Sequence, residues 1–351
     1  MKLSGKVVLS VILVVTGLLI YVYTIDPARV EHQYSTGFFP VFSSLLRSFS
    51  GLFSFSLGDI IYALLSIWLL WKLIRFIRIK VNRGSRLLKL FSLLAVIYVL
   101  FNLFWGINYG RQGIAFQLGL KTDEYTIEEL KDLNCALIDK VNATRKELGE
   151  RTTYPSPSKI LPEVRSAFNE AALIYPFLSL KNTALKPSLW SRLGDYIGFT
   201  GYYNPFTAEA QVNVNVPPFI IPFTACHEVA HQIGYAKEME ANFVGYLVAG
   251  NSSDKFFRYS AYFDLFLYAN RSLRQTDSVT AKIYRNDLDP LVKGDLKEWK
   301  EYNLKYNSPL SPVVWWFYGK FLQSNQQPQG ILSYDEVTSF LIAYKKKFGK
   351  I

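Results

Sequence analysis

Two of the chain's three histidines, His227 and His231, stand four residues apart with Glu228 beside the first. Residues four apart on a helix share a face, so both imidazoles can turn a ring nitrogen to one metal ion. Zinc takes imidazole nitrogen at about 2.0–2.1 Å, and its catalytic sites use three protein ligands with a fourth position open to water. Glu228 lies about 100° round the helix from His227, beside such an ion and not on it, where a general base for that water belongs.

A third ligand has to come from elsewhere. Glu238 is seven residues beyond His231, roughly 10 Å along an unbroken helix, too far to share an ion. Gly234 can end that helix, because glycine enters the left-handed conformation without a side-chain penalty. A turn over 234–236 and a new helix from about Lys237 would return Glu238 to the metal. Asn242, four residues on, would then share its face and hydrogen-bond a ligand. Glu240 is the alternative ligand, but it falls on another face and reads as a solvated surface charge. A third ligand at the metzincin spacing would be Lys237, which cannot serve while protonated.

Other participants are less defined. Tyr202, Tyr203 and Tyr235 are close enough in sequence to offer an oxyanion donor, and none of them stands out among 23 tyrosines. The stretch "EAQVNVNVP" alternates Val212, Val214 and Val216 with Gln211, Asn213 and Asn215, the period of a half-buried strand ended by Pro217 and Pro218. That strand is either an edge able to pair with an extended peptide or an ordinary internal strand. His32 reads as a surface residue.

The elements that must carry this site begin with three apolar segments at about 7–25, 57–76 and 87–105. Each is long enough to cross a hydrocarbon core of roughly 30 Å, so residues 1–106 read as a transmembrane region. Lys2 and Lys6 precede the first segment, and Lys72, Arg75, Arg78, Lys80, Arg83, Arg86 and Lys89 separate the second and third. Positive charge favours the cytoplasm, which puts the N-terminus and the basic loop 72–89 inside and residues 107–351 outside. The net charge of +11 therefore points to membrane topology and not to nucleic acid, since neither stacking aromatics nor a nucleic-acid motif accompanies it.

From residue 107 charge is interspersed, as in a water-soluble domain, here mainly α with a small sheet. Thr126 with Glu129 forms a capping box opening a helix to about Gly149, and a second helix runs to about Leu178. Ser333 with Glu336 opens a last helix whose end carries Lys345, Lys346 and Lys347. Cys135 and Cys226 could form one disulfide but read as two buried free thiols.

The segments "GYYNPFTAEAQVN" and "PFTACHEVAHQIGYAKEMEANFVGYL" within residues 201–247, the three N-terminal spans and a late "QGILSY" resemble the bacterial membrane family called domain of unknown function 3810, over essentially the whole chain. More distantly, "EMEAN" is similar to the Glu-x-x-Ala-Asn/Asp element of gluzincin-like and ImmA/IrrE-type metallopeptidases. There the first glutamate binds the metal and the last residue supports a histidine, which implies Glu238 and Asn242 here. The six residues between His231 and Glu238 are fewer than those families use. The expectation is thus a multi-pass protein of the bacterial inner membrane with a zincin-like zinc metallopeptidase domain outside the cytoplasm. Its partners would be the lipid bilayer and a peptide or protein substrate. The alternatives are a zinc-stabilised binding or sensor module without turnover and a zinc amidase acting on the cell envelope.

Overall fold

The structure, a computed structural model, describes residues 5–78, 83–122, 124–150 and 153–351. Lys2 and Lys80 lie outside the described residues, as do the side chains of Lys6 and Arg83. The chain is mostly helical with one three-stranded sheet.

Among the described residues three helices are long and apolar enough to cross a membrane. These are α1 (Gly5–Thr24), α3 (Leu57–Arg78) and α4 (Arg83–Phe104), with α2 (Phe39–Ser50) between the first two. Helix α3 continues two residues past the expected end, so that Lys72, Arg75 and Arg78 of the expected basic loop all lie on it. The Lys72 ammonium lies 5.2 Å from the ring centres of Trp68 and Trp71, and Arg75 lies 5.5 Å from Trp71. Cations over indole rings at a helix C-terminus suit both the dipole and an interfacial position.

The connection from Asp26 to Ser56 is largely helical. Asp26 accepts from the amides of Ala28 and Arg29, a π-helical stretch Val30–Phe38 follows, and α2 continues from it. Val30, Tyr34 and Phe39 are buried together with Trp105, Ile107, Tyr109 and Ala236 in a small second core, while His32 is exposed, as expected.

The main core lies between α5 (Ile127–Leu148), α6 (Pro157–Ile174), α8 (Ile221–Gln232), α9 (Glu238–Ala249) and α10 (Lys255–Thr276). The Thr126–Glu129 capping box is present, at 3.2 Å and 3.0 Å. Helix α6 stops at Ile174, because Pro176 disfavours the helical conformation at Tyr175, and one tight turn continues to Leu178. Short helix α7 (Ser191–Ile197) precedes α8; α11 (Ser278–Asn286), α12 (Pro290–Lys305), α13 (Ser311–Ser324) and α14 (Val337–Phe348) follow α10. Ser333 does not cap α14. Its hydroxyl donates to the Gly330 carbonyl inside a tight turn, and the helix opens at Glu336 without a side-chain cap. Cys135 and Cys226 are both free, but only Cys226 is buried.

The sheet runs β1 (Leu185–Pro187), β3 (Glu209–Val212), β2 (Gly201–Asn204), with β3 in the middle, parallel to β1 and antiparallel to β2. All four residues of β3 are buried, so it is the internal strand and offers no edge to a peptide. The alternation stops at Val212 because Asn213 and Asn215 turn to donate to the two carboxylate oxygens of Asp195, each at 2.9 Å. Glu209 on β3 accepts from the Leu57 and Gly58 amides at 3.1 Å and 2.6 Å and pairs with Lys186. A carboxylate thus sits on the positive end of α3 and ties that helix to the sheet.

Candidate metal centre

Helix α8 buries all twelve of its residues, so its histidines and Glu228 must find partners inside the protein. Its start has Pro222 in the first turn and the Phe223 amide bonded to the Ser260 hydroxyl on α10. Its end is the turn that the sequence anticipates: Gly234 has φ +90°, its amide bonds the His231 carbonyl, and the Tyr235 amide bonds the Ala230 carbonyl. These two bonds form a Schellman motif. Lys237 then flanks α9, which opens on Glu238.

The remaining carbonyls at this end are met by residues far upstream. Arg47 donates to the Gln232 carbonyl at 2.8 Å, the Trp105 indole to the His231 carbonyl at 3.2 Å, and Arg111 to the Gly234 carbonyl at 3.1 Å. Arg111 also makes a two-point pair with Glu31 at 2.7 Å and 3.0 Å. The chain before residue 112 therefore finishes the helix end that places both histidines.

The turn brings α9 back against α8. Asn242 donates to the Tyr334 carbonyl at 3.3 Å, which leaves its oxygen to accept from Nδ1 of His227 at 2.8 Å. Nδ1 of His231 meets the Tyr235 carbonyl at 2.6 Å. Both Nδ1 atoms thus carry a ring proton, and each ring turns its Nε2 the other way. Those Nε2 atoms stand 3.2 Å and 3.6 Å from Oε2 of Glu238. Tyr318 donates to the other Glu238 oxygen at 2.8 Å.

Two imidazole Nε2 atoms and a buried carboxylate oxygen converge, and no other side chain is bonded to that oxygen. Electron-rich atoms so placed repel unless a cation joins them, and two imidazole nitrogens with one carboxylate are a donor set suited to zinc. His227, His231 and Glu238 could hold such an ion.

Glu228 completes the group: the ligand atoms of His227, Glu228 and His231 lie within 4.8 Å of one another. Its Oε2 is buried and unpartnered. Burial pushes its carboxyl up to about 7, with the imidazoles pulling the other way. Strand β2 runs so close that a Cβ on Gly201 would meet Glu228 Oε1 at 2.6 Å. The sheet edge bordering the site is therefore β2, with β3 behind it.

Glu240 is placed elsewhere, and it is not a surface charge. It is 4% exposed, its carboxylate packs on Gly113 within reach of the Arg111 charge, and burial pushes its pKa up. Tyr235 also turns away, donating to Gln117 at 2.6 Å. Tyr202 and Tyr203 do line the cavity, but the Tyr202 hydroxyl is engaged by Asp59 and Ser188. Sequence reasoning missed Tyr318 and Tyr334. Tyr334 stacks on the His227 ring at 6.2 Å and 12° and ends "QGILSY", a signal available in the sequence; nothing marks Tyr318 among the other tyrosines.

His227, Glu228, His231 and Glu238 form the floor of a cavity of about 840 Å³. Its walls come from α3, the end of α4, α7, β2 and α13. Residues 34–342 match the family described as "Protein of unknown function (DUF3810)". No curated protein and no solved structure matches the chain.

Proposed function

We propose that this chain, which belongs to the DUF3810 family, is a membrane-anchored zinc-dependent hydrolase of peptide or amide bonds whose site lies outside the cytoplasm. The observation that carries this reading is the convergence of both imidazole Nε2 atoms on one buried oxygen of Glu238, with the unpartnered Glu228 Oε2 alongside, in the lining of one cavity.

His227, His231 and Glu238 hold the ion. Zinc, when bound, supplies Lewis-acid polarisation of a carbonyl and makes water acidic enough to lose a proton near neutral pH. Glu228 takes that proton and returns it to the leaving amine. Asn242 and the Tyr235 carbonyl fix the imidazoles through their Nδ1 protons, and Tyr318 orients Glu238. A histidine helix, a turn, a carboxylate on the next helix and a short sheet edge beside them are the parts a zincin-like domain would use. The clustering of positive charge between α3 and α4 supports a cytoplasmic N-terminus and an extracytoplasmic site in the bacterial inner membrane.

The test is metal analysis of the purified full chain together with hydrolysis by wild type and Glu228→Gln. About one zinc per chain in both, with turnover only in wild type, is expected. A chain that binds no zinc after metal loading, or a Glu228→Gln variant as active as wild type, would overturn the reading.

A further inference from the structure

The cavity opens where a bilayer would be. One wall is a face of the membrane-spanning helix α3, formed by Tyr62, Ala63, Ser66 and Ile67. Ser66 is exposed and Ile67 is 66% exposed, so the same residues that line the cavity also look outward at the level of the span. Counted from Leu57 at 1.5 Å per residue, Ile67 lies about 15 Å along the helix, inside the uncharged stretch between Asp59 and Lys72.

The opposite jaw is α13. Val314, Trp315, Tyr318 and Phe321 face the cavity, while Val313, Trp316 and Phe317 are 53–64% exposed on the other side. Among its residues only Leu322 is buried. A helix with an outward apolar face unburied by protein, and a single cation, Lys320, set over Trp316 on that face, suits the surface of a lipid layer. Both jaws of the mouth therefore present apolar side chains outward.

The lining favours a hydrocarbon chain. Apart from His227, Glu228, His231 and Glu238, no lining residue carries a charge among the described residues. An extended peptide would bury amides against aromatic rings with few partners, and a phosphate would meet no cation, whereas an alkyl chain needs neither.

On the reading given above as proposed function, we infer that the substrate is a membrane lipid whose scissile amide is attached directly to a long acyl chain, and that this chain enters sideways between α3 and α13. Water adds to the acyl carbon and the carbon–nitrogen bond breaks. The proton taken from water passes through Glu228 to the nitrogen, giving a fatty acid and a free amine.

The test uses the full chain, zinc-loaded, in nanodiscs of phosphatidylethanolamine and phosphatidylglycerol. Binding is measured for acetyl, octanoyl and dodecanoyl hydroxamates and for a leucine-rich peptide hydroxamate. Affinity should rise with chain length, by up to about fourfold per methylene. The dodecanoyl-to-acetyl ratio should collapse in Ser66→Trp and, independently, in Ala63→Phe, which narrow the α3 wall. Chain-length dependence unchanged in both variants would mean simple partitioning into the bilayer and overturn the inference. So would a flat series, or a peptide probe that outbinds the dodecanoyl one. Zinc bound with a flat series would leave the hydrolase reading standing, whereas failure to bind zinc would sink both.

Discussion

The side-chain oxygen of Asn242 lies 2.8 Å from Nδ1 of His227, and the amide nitrogen of Asn242 is held by the Tyr334 carbonyl, so the tautomer of this imidazole is set from α9 and from the turn before α14. Replacing a partner of this kind usually costs about 10–100-fold in metal affinity. Asn242→Leu should lose zinc affinity by that order in a competition titration, while Asn242→Asp, which keeps the acceptor, should lose much less. Equal affinity in Asn242→Leu and wild type would mean the contact does no orienting.

Glu238 and Glu240 are two residues apart and behave oppositely in the structure. Glu238 meets both imidazoles, whereas Glu240 lies by Gly113 and Arg111 with its carboxyl pKa raised by burial. Zinc content should therefore fall in Glu238→Gln and stay at the wild-type value in Glu240→Gln. Reversed metal contents would exchange the two roles.

Gly201 passes against Glu228, and an added methyl would meet Oε1 at 2.6 Å. Gly201→Ala should move either β2 or the carboxylate, lowering turnover by about 100-fold or more if Glu228 is the base, with zinc content intact. Steady-state kinetics with metal analysis on the same sample checks this, and full turnover in the variant would show that β2 gives way and leaves the carboxylate in place.

Arg47 is buried, and it donates to the carbonyls of Gln232 and Asn182. Arg47→Met leaves those acceptors unpaired at about 1–3 kcal/mol each. Thermal unfolding in detergent should report that loss, together with weaker zinc binding because the end of α8 frays. A variant as stable as wild type would show that water replaces the guanidinium.

Glu31 pairs with Arg111 at two points. Burial alone would raise its pKa; the hydrogen bonds and charge of Arg111 outweigh this and hold it below the ordinary 4.5. A depressed carboxyl contributes stability above its unfolded value and loses it as pH falls through the folded one. Glu31→Gln should cost about 3–5 kcal/mol near neutral pH, the order expected for breaking a buried pair. The gap between variant and wild type should narrow once the pH drops below 4.5. A gap constant from pH 7 to 3 would contradict the assignment.

The local features were legible because each depends on a few adjacent residues. The three apolar helices follow from uninterrupted hydrophobic length, the Thr126 cap from two side chains three apart, and the break at Gly234 from one residue that tolerates positive φ. The spacing His227-x-x-x-His231 fixes a shared face on any helix, and one turn of known size then brings Glu238 within reach of it. Ser333 failed as a cap because residues 330–334 close a tight turn of their own and the helix opens only at Glu336. Reading Glu240 as a surface charge failed because helical phase gives a direction but not what fills it, and here Arg111 and Gly113 do.

By itself, then, the sequence determined the metal-type constellation, the turn inside it and the presence of helices long enough to span a bilayer, because periodicity and glycine conformation act over one or two turns of chain. Only the tertiary structure decided that β3 is the inner strand and β2 the one at the site, that Arg47, Trp105 and Arg111 complete the histidine helix, and that Tyr318 and Tyr334 stand beside Glu238 and His227. The side-chain relationships among them join residues 80 or more positions apart through buried carbonyls and carboxylates that must each find a partner, a demand imposed by packing that no local pattern records.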